Sequence, residues 1–461
     1  MSIAVYPLIK NYVDERIAEV ESRLYNPIYG VYWNKGTSPT LTRTHDAVGL
    51  SAAVGLGGAW AVNSFDKAEI FGEMGPVTDT LGNVFIRIPK FYIKKTDGTA
   101  FKTWAVSKYQ YPGFYLPWCF WDFANGVELP YVDIGKYKAT SDGSNRLESK
   151  PNLYPLINQT LPTFRTRAQN NNAGGLAGYQ LLDIHAVDIL RTLMFIEFGT
   201  LDLQTVMYGY ATGQYNAAHV LTAGTNPAGN TLVVSNATGA LYHVGQAISV
   251  GTSLGGNQGF YGRTITNIQI DTPGAGSTTI TFDGDAVVLA TNNILYNTGW
   301  KNGFSAAIVA SSGSIGSNSD GKYPCMYRGI ESPYADLWQW VDGVNINNWQ
   351  AWVAKNPADY ASNVFAHPYE QLSYVNHNAN NYVQAMGWDA PRPMAEFPVA
   401  VQASSTQYYC DYYYQDAGQR VAPFGGSWNA GALAGPSSWG LYFSSSYASV
   451  GFGARLLKKA L

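Results

Sequence analysis

Residues 424–457 read FGGSWNAGALAGPSSWGLYFSSSYASVGFGARLL. The adjacent glycines Gly425 and Gly426 allow a close backbone approach that a side chain would obstruct. Trp428 has the bulk to fill a core beneath them. Arg455, in an apolar closing run, carries a five-donor guanidinium suited to tying down main-chain carbonyls of exposed loops. Between these braces, residues 436–451 interleave Ser with Tyr and Trp, and rigid amphipathic rings beside adaptable hydroxyls are the composition of a recognition loop. The reading is a scaffold whose segment between Trp428 and Val450 is free to vary in chemistry, as binding loops on a rigid frame are.

Outward from this stretch the aromatic density persists. The last part of the chain holds Trp338, Trp340, Trp349, Trp352, Trp388, the run Tyr408, Tyr409, Tyr412, Tyr413 and Tyr414, and then Trp439, Tyr442 and Tyr447. Aromatics make up 14% of the 461 residues and charged residues only 13%, about half the usual share, a balance that excludes a disordered chain. Lys and Arg total 29 against 32 Asp and Glu, with no basic block, so neither nucleic acid nor a membrane surface is an expected partner. No apolar run reaches the roughly 18 residues of a membrane span, and the first residues lack the apolar core of a signal peptide. A soluble protein made in the cytoplasm is expected. Cys119, Cys325 and Cys410 are too few and too far apart for a disulfide framework or a zinc site and read as buried thiols.

The chain divides into five parts. In residues 1–27, Val13, Ile17, Val20 and Leu24 are spaced 4, 3, 4 with charges on the other face, a helical seam too short to stand alone. It must dock on its own domain or pair with copies of itself. Residues 28–84, rich in Gly, Thr and Ala, read as a small irregular β module. A new domain opens with the strand-like VFIRIPKFYIKK and occupies residues 85–213; it includes a second strand run around Tyr131, Ile134 and Tyr137 and a buried helix over 177–198. Residues 214–298 are Thr/Val/Ile-rich runs between Gly and Asn turns, a compact β insertion. The host resumes over 299–461. Gly and Pro between short apolar runs predict few long helices.

A search for catalysis is negative: H-E-x-x-H, G-x-S-x-G, P-loop and dinucleotide motifs are absent, and the six histidines are scattered. Glu331, Asp336 and Asp342 cluster in sequence and could serve as an acid pair for glycoside cleavage, but their Gly- and Trp-rich setting favours structural roles. His185 and Asp188, one turn apart on the helix, are assigned no chemistry. No metal and no cofactor are expected.

YRGIESPYADLWQWVDGVNI (327–346), FGGSWNAGALAG (424–435) and SVGFGARLL (449–457), in that order, resemble the C-type-lectin-like fold shared by formylglycine-generating enzymes and phage major tropism determinants. The resemblance covers about residues 85–461, and Trp338, Trp340, Gly425, Gly426, Trp428 and Arg455 are its structural signature. It implies an α+β fold: a C-type-lectin-like domain with an inserted small β domain, preceded by an N-terminal helix and a β module. The enzymatic branch needs a cysteine pair near the domain end, where only Cys410 stands. The calcium-chelating triplets of sugar-binding relatives are missing as well. In the tropism-determinant branch the segment before the last strand is diversified by a retroelement and binds the bacterial receptor. The close here reads G-F-G-A-R where many relatives have G-F-R.

These readings lead to a non-enzymatic receptor-binding protein at a phage or prophage tail tip, a homotrimer on the virion held to other tail proteins through its N-terminus. It would recognise a bacterial surface receptor, protein or glycan, through Asn429, Ala430, Leu433, Ser438, Trp439, Tyr442, Ser444, Ser446 and Tyr447. The alternatives are an enzyme on the same fold, an oxidase or a glycan-cleaving tailspike, and a purely structural tail component.

Overall fold

The computed structural model describes residues 26–256, 259–393 and 395–461, and the expected seam at Val13, Ile17, Val20 and Leu24 lies outside them. The chain is mostly β, 12% helical and 36% strand, so the helical share comes down chiefly to Leu161–Gln169 and Ile184–Phe198.

The second helix is the spine of the core. Asp183 caps it by accepting from the Ala186 N–H (2.8 Å), and Gly199 closes it at φ 66°. Every residue except Phe198 is buried, which suits its apolar content on all sides. The expected helix over 177–198 is therefore shorter at its start, because Tyr179–Leu181 is taken as a strand by the chain's last strand, Leu456–Lys459. The helix's charged residues need buried partners. Glu197 takes two bonds from Arg328 (2.6 and 2.7 Å) and one from Asn63 (2.7 Å). Asp188 and Arg191 join Lys95, Lys102 and Glu396 in one interior ion network.

Around this helix the sheets tie distant parts of the chain together. One antiparallel sheet runs Tyr179–Leu181, Leu456–Lys459, Tyr131–Gly135, Val84–Pro89, Gly75–Thr78, so the carboxyl-terminal strand lies inside it. A second has the order Thr42–His45, Tyr29–Asn34, Phe101–Ser107, Tyr92–Asp97. The first strand of the expected 28–84 module thus pairs along its whole length with Phe101–Ser107, and Tyr29, Val31 and Trp33 pack into the main core. This pairing runs across the boundary expected at residue 84.

The segment 214–298 builds a five-stranded sheet of its own (Thr231–Ser235, Ser277–Phe282, Phe260–Ile270, Ala247–Gly251, Ile294–Asn297) and a core of its own, including Leu232, Val234, Ile248, Ile280 and Phe282.

The largest sheet curls into a half-barrel. Its order is Glu370–Val375, Gln350–Val353, Trp338–Asn347, Gln419–Phe424, Trp439–Leu441, Tyr412–Gln415, Asn381–Met386, Pro398–Val401, with Phe452–Gly453 pairing beside Trp338. One face packs Trp439, Leu441, Tyr413 and Phe424 on the main core. The other packs Trp338, Trp340, Val421, Phe443 and Phe452 over the helix Leu161–Gln169. Where that second layer runs out, the sheet meets solvent.

Candidate functional site

The residues that frame the carboxyl-terminal segment are interior. Gly425 and Gly426 sit at φ 94° and 85°, and a Cβ on Gly426 would lie 2.8 Å from Ala434 Cα, so the close approach requires glycine. Trp428, 2% exposed, fills a small cluster with Tyr210, Trp300, Leu337 and Val450. Trp338 stacks on Phe452 at 6.3 Å, and Trp340 lies 4.9 Å from the same ring. Arg455 is buried. It donates to the carbonyls of Gly135 (2.6 Å), Lys136 (3.2 Å), Glu331 (2.6 Å) and Ser332 (3.0 Å) and to Gln339 Oε1 (2.9 Å). Its acceptors are core carbonyls joining two strands, not the exposed loop carbonyls expected from sequence. Burial lowers its pKa to about 10, which leaves it charged at neutral pH.

The nine expected contact residues separate. Ser438 and Trp439 are fully buried and offer no surface. Trp439 lies between Phe397 (5.0 Å) and Phe424 (5.2 Å). The reason is strand alternation: Trp439–Leu441 pairs with Tyr412–Gln415, so Trp439 and Leu441 point inward while Gly440 lies between them on the other face. The approach to this strand is equally tight. Buried Asp411 accepts from the Ser437 N–H, and a Cβ on Gly435 would fall 1.9 Å from Asp411 Oδ1. Burial first, then the nearby Asp202, push the Asp411 carboxyl well above its ordinary range.

Asn429, Ala430 and Leu433 lie on a turn docked elsewhere: Gly431 N donates to Ala211 O (2.7 Å), and Gln204 Nε2 donates to Gly431 O (3.1 Å). No hydrogen bond or ring contact among the described residues joins this turn to residues 442–447. Asn429 is exposed, and the other two are half-buried.

What the structure brings together is Tyr442, Ser444, Ser446 and Tyr447 with rings from two neighbouring strands. Tyr442 and Tyr447 are 37% and 39% exposed. Tyr412 and Tyr414, two residues apart, share the outer face of their strand, whereas Tyr413 between them is buried. Tyr382 lies opposite Tyr412 in register. The rings form a continuous row: Tyr382–Tyr412 at 5.2 Å, Tyr412–Tyr414 at 4.6 Å, Tyr414–Tyr442 at 5.5 Å. Phe443 continues it to Tyr447 at 4.5 Å. Gly440, beside Tyr414 in register, leaves room for the Phe443 and Pro423 rings, which a Cβ there would meet at 3.2 Å. Among the described residues, no group bonds the hydroxyls of Tyr412, Tyr414, Tyr442 or Tyr447. Burial pushes the pKa of Tyr414 and Tyr442 up to about 12, so their hydroxyls stay neutral donors and acceptors. Ser444 and Ser446 bond each other at 3.0 Å, and Ser445 accepts from Asn363 Nδ2 at 3.2 Å.

The rings of this row carry no charge. Between residues 398 and 449 the charged side chains are Asp411, which is buried, and Asp416 and Arg420, which pair at 2.7 Å. Tyr382, Tyr412 and Tyr414 were outside the expected contact set. The signal for the last two was present in Tyr-Tyr-Tyr at the start of a strand, where alternation exposes the first and third; nothing local pointed to Tyr382.

The other candidates are structural. Glu331 accepts from Gly303 N (2.9 Å) and Ser305 N (2.8 Å), Asp336 from Trp300 N (2.7 Å), and Asp342 pairs bidentately with Arg165 (2.7 Å each). Burial, opposed by Lys138, leaves Asp336 pushed up to about 6. His185 bonds Ala354 O at 2.9 Å. The three cysteines are buried free thiols whose pKa values burial pushes up. Among the described residues no group of three His, Cys, Asp or Glu is placed to hold a metal, and no helix is long and apolar enough to cross a membrane. No protein-family model matches the sequence, and no curated protein matches it either.

Proposed function

We propose that this chain is a receptor-binding protein of a tailed phage or prophage, with a C-type-lectin-like carboxyl-terminal domain that carries its recognition surface. The observation that carries the reading is the row Tyr382–Tyr412–Tyr414–Tyr442–Tyr447: half-exposed rings held on a rigid sheet beside a Ser-rich tip, with no bond among the described residues to the hydroxyls of Tyr412, Tyr414, Tyr442 and Tyr447. Tyrosine gives large contact area at low entropy cost and is enriched in binding hot spots. The pairing of the last strand with Tyr131–Gly135, and the buried signature residues around it, support the lectin-like scaffold. The contact set becomes Tyr382, Tyr412, Tyr414, Tyr442, Ser444, Ser446 and Tyr447. Ser438 and Trp439 leave it as interior residues.

Because the rings carry no charge and the neighbouring Asp416 is paired with Arg420, the row suits a neutral receptor patch, a glycan or an uncharged protein loop, and adsorption should vary little with salt. The test is host-cell adsorption by particles or purified protein carrying Tyr412→Ala, Tyr414→Ala and Tyr442→Ala together. With hot-spot costs of about 1–2 kcal/mol per ring, binding should fall at least a hundredfold while the fold persists. Undiminished adsorption by a folded triple variant refutes the assignment.

A further inference from the structure

A cavity of about 260 Å³ that shares no residue with the tyrosine row is walled by three distant stretches of the chain. One is the hairpin in which Trp121–Asp122 pairs with Val127–Glu128. Another is the strand Tyr179–Leu181, paired with Leu456–Lys459. The third is the turn Pro357–Asp359, capped by Asn356 Oδ1, which accepts from Ala358 N at 3.1 Å. These walls are fixed by their own bonds. Asp122 closes its hairpin by accepting from Ala124 N (2.9 Å) and Asn125 Nδ2 (2.7 Å), and Asn172 exchanges two bonds with the Tyr179 main chain (2.9 and 2.8 Å). A concavity formed in advance loses little to ordering when a ligand enters.

The lining combines flat rings with spare hydrogen-bonding capacity. Trp121 and Phe123 contribute half-buried aromatic surface. Beside them, the Gln169 carboxamide makes no hydrogen bond among the described residues. Asn356 uses only its Oδ1, and Gln180 only its Nε2, on Asp183 (2.7 Å). Lys459, 3% exposed, donates to Trp121 O (2.7 Å) and Trp118 O (3.1 Å), which are two of the three bonds an ammonium gives. Among the described residues no carboxylate forms an ion pair with it. Burial lowers its pKa, and Asp183 and Asp122 oppose that shift from beyond pairing distance.

This chemistry selects a class of ligand. A sugar ring has an apolar C–H face that packs on flat aromatic surface, and its hydroxyls each donate and accept, as carboxamides do. An anion is disfavoured, because Asp122 lines the cavity together with Lys459. The volume lies just under the range of about 300–1,000 Å³ that takes a drug-sized molecule, which leaves room for about one ring. A second cavity of about 470 Å³ continues from the first, since Gln169 and Asn172 line both. Its other walls are polar, Ser144, Asn145, Arg146 and Asn170, and the Arg146 guanidinium has no partner among the described residues. A chain of sugars, not a lone one, uses both spaces.

We propose that this cavity binds the end of a neutral oligosaccharide, its terminal ring packed on Trp121 and Phe123 and its hydroxyls bonded to Gln169, Gln180, Asn356 and Lys459. The inference does not rest on the tyrosine row or on what that row binds.

The test is titration calorimetry of the full chain with mono-, di- and trisaccharides of glucose, galactose and N-acetylglucosamine, and with glucuronic acid as the charged counterpart. At least one neutral trisaccharide should bind saturably and more tightly than its monosaccharide, and glucuronic acid should bind no better than glucose. Trp121→Ala should weaken that binding about tenfold or more, the effect of losing an aromatic anchor. Gln169→Ala, at an exposed position, should weaken it about threefold with an unchanged melt, so a loss there does not reflect unfolding. Tyr414→Ala should bind as the wild type does, which separates this site from the proposed receptor surface. The proposal is overturned if no neutral sugar binds, if both cavity variants bind like the wild type, if glucuronic acid is preferred, or if Tyr414→Ala loses binding as Trp121→Ala does.

Discussion

Arg455→Met removes the group that joins the last strand to the rest of the domain while roughly keeping side-chain length. Five acceptors lose one donor: the carbonyls of Gly135, Lys136, Glu331 and Ser332, and Gln339 Oε1, of which Lys136 O keeps the Glu331 N–H (2.9 Å). A buried acceptor left unpaired costs about 1–3 kcal/mol. Against this, methionine spares the burial of a charge, an offset of about 1–4 kcal/mol in comparable replacements. The balance is a loss of about 4 kcal/mol, which lowers the melting temperature by on the order of 10 °C. Arg455→Lys keeps the charge and three donors, leaves at least two acceptors bare, and should cost about 2–3 kcal/mol. Since residues 214–298 have a separate core, one melting curve does not report the domain alone. Hydrogen exchange does: Tyr131–Gly135 and Leu456–Lys459 should lose protection in the variant, and Ala247–Gly251 should keep it. Unchanged exchange in the first two strands would refute the brace. A lysine variant weaker than the methionine variant would also refute the reasoning, because charge burial and not acceptor pairing would then dominate.

Three further outcomes follow from buried groups. Asp411→Asn should stabilise the protein increasingly as pH rises from about 4. The wild-type carboxyl has a raised folded-state pKa, so its favourable contribution is complete below the unfolded value and is lost as pH climbs toward the folded one, a slope the amide lacks; parallel pH profiles of wild type and variant in urea titrations would contradict this. Glu396→Gln should cost about 3–5 kcal/mol at neutral pH, because Lys102, Lys95 and Arg191 overcome burial and hold the carboxylate well below its usual range, and removing its charge leaves three buried cations to Asp188 and the longer Asp97 contact alone; calorimetry at pH 7 checks it, and a melt matching wild type would discredit the network. Trp439→Ala should lower stability by about 3–5 kcal/mol, whereas Tyr442→Ala should change it by under about 1 kcal/mol, since one ring fills the interior and the other faces water. Similar losses at both sites would contradict the assignment of inner and outer faces.

Legibility in the sequence followed the range of the signals. Strand alternation, the buried helix and the texture of the insertion are local patterns, and the structure contains a strand at Val84–Pro89, a helix at Ile184–Phe198 and a separate sheet within 214–298. The pairing of Tyr29–Asn34 with Phe101–Ser107 is long-range, and a Gly-rich stretch gives no indication of its partner. The error at Trp439 has a different origin. Ser-Trp-Gly-Leu-Tyr has the same composition whether it is a recognition loop or a strand with one face on the core; the neighbours Tyr413 and Phe424 decide, and they come from elsewhere in the chain. Burial of the charged residues of helix Ile184–Phe198 was equally hidden, since their counter-ions Lys95, Lys102, Arg328 and Glu396 are distant in sequence.

Burial and exposure thereby alternate along one short segment, which under the proposed reading would separate stability from recognition. Trp439, Leu441 and Phe443 are buried, and their packing fixes the path of the backbone; Gly440 gives space, and Tyr442, Ser444 and Ser446 lie where solvent reaches. Substitutions at exposed positions change stability by roughly 0.5 kcal/mol or less, while those in the core cost several. A receptor surface drawn from Tyr442, Ser444, Ser446 and Tyr447 can therefore change its chemistry without endangering the fold. One drawn from Ser438 and Trp439 could not. Tyr412 and Tyr414 are held by a strand paired on both sides, so under the proposed reading variation at the tip would adjust which partner fits while this fixed platform would continue to supply contact area.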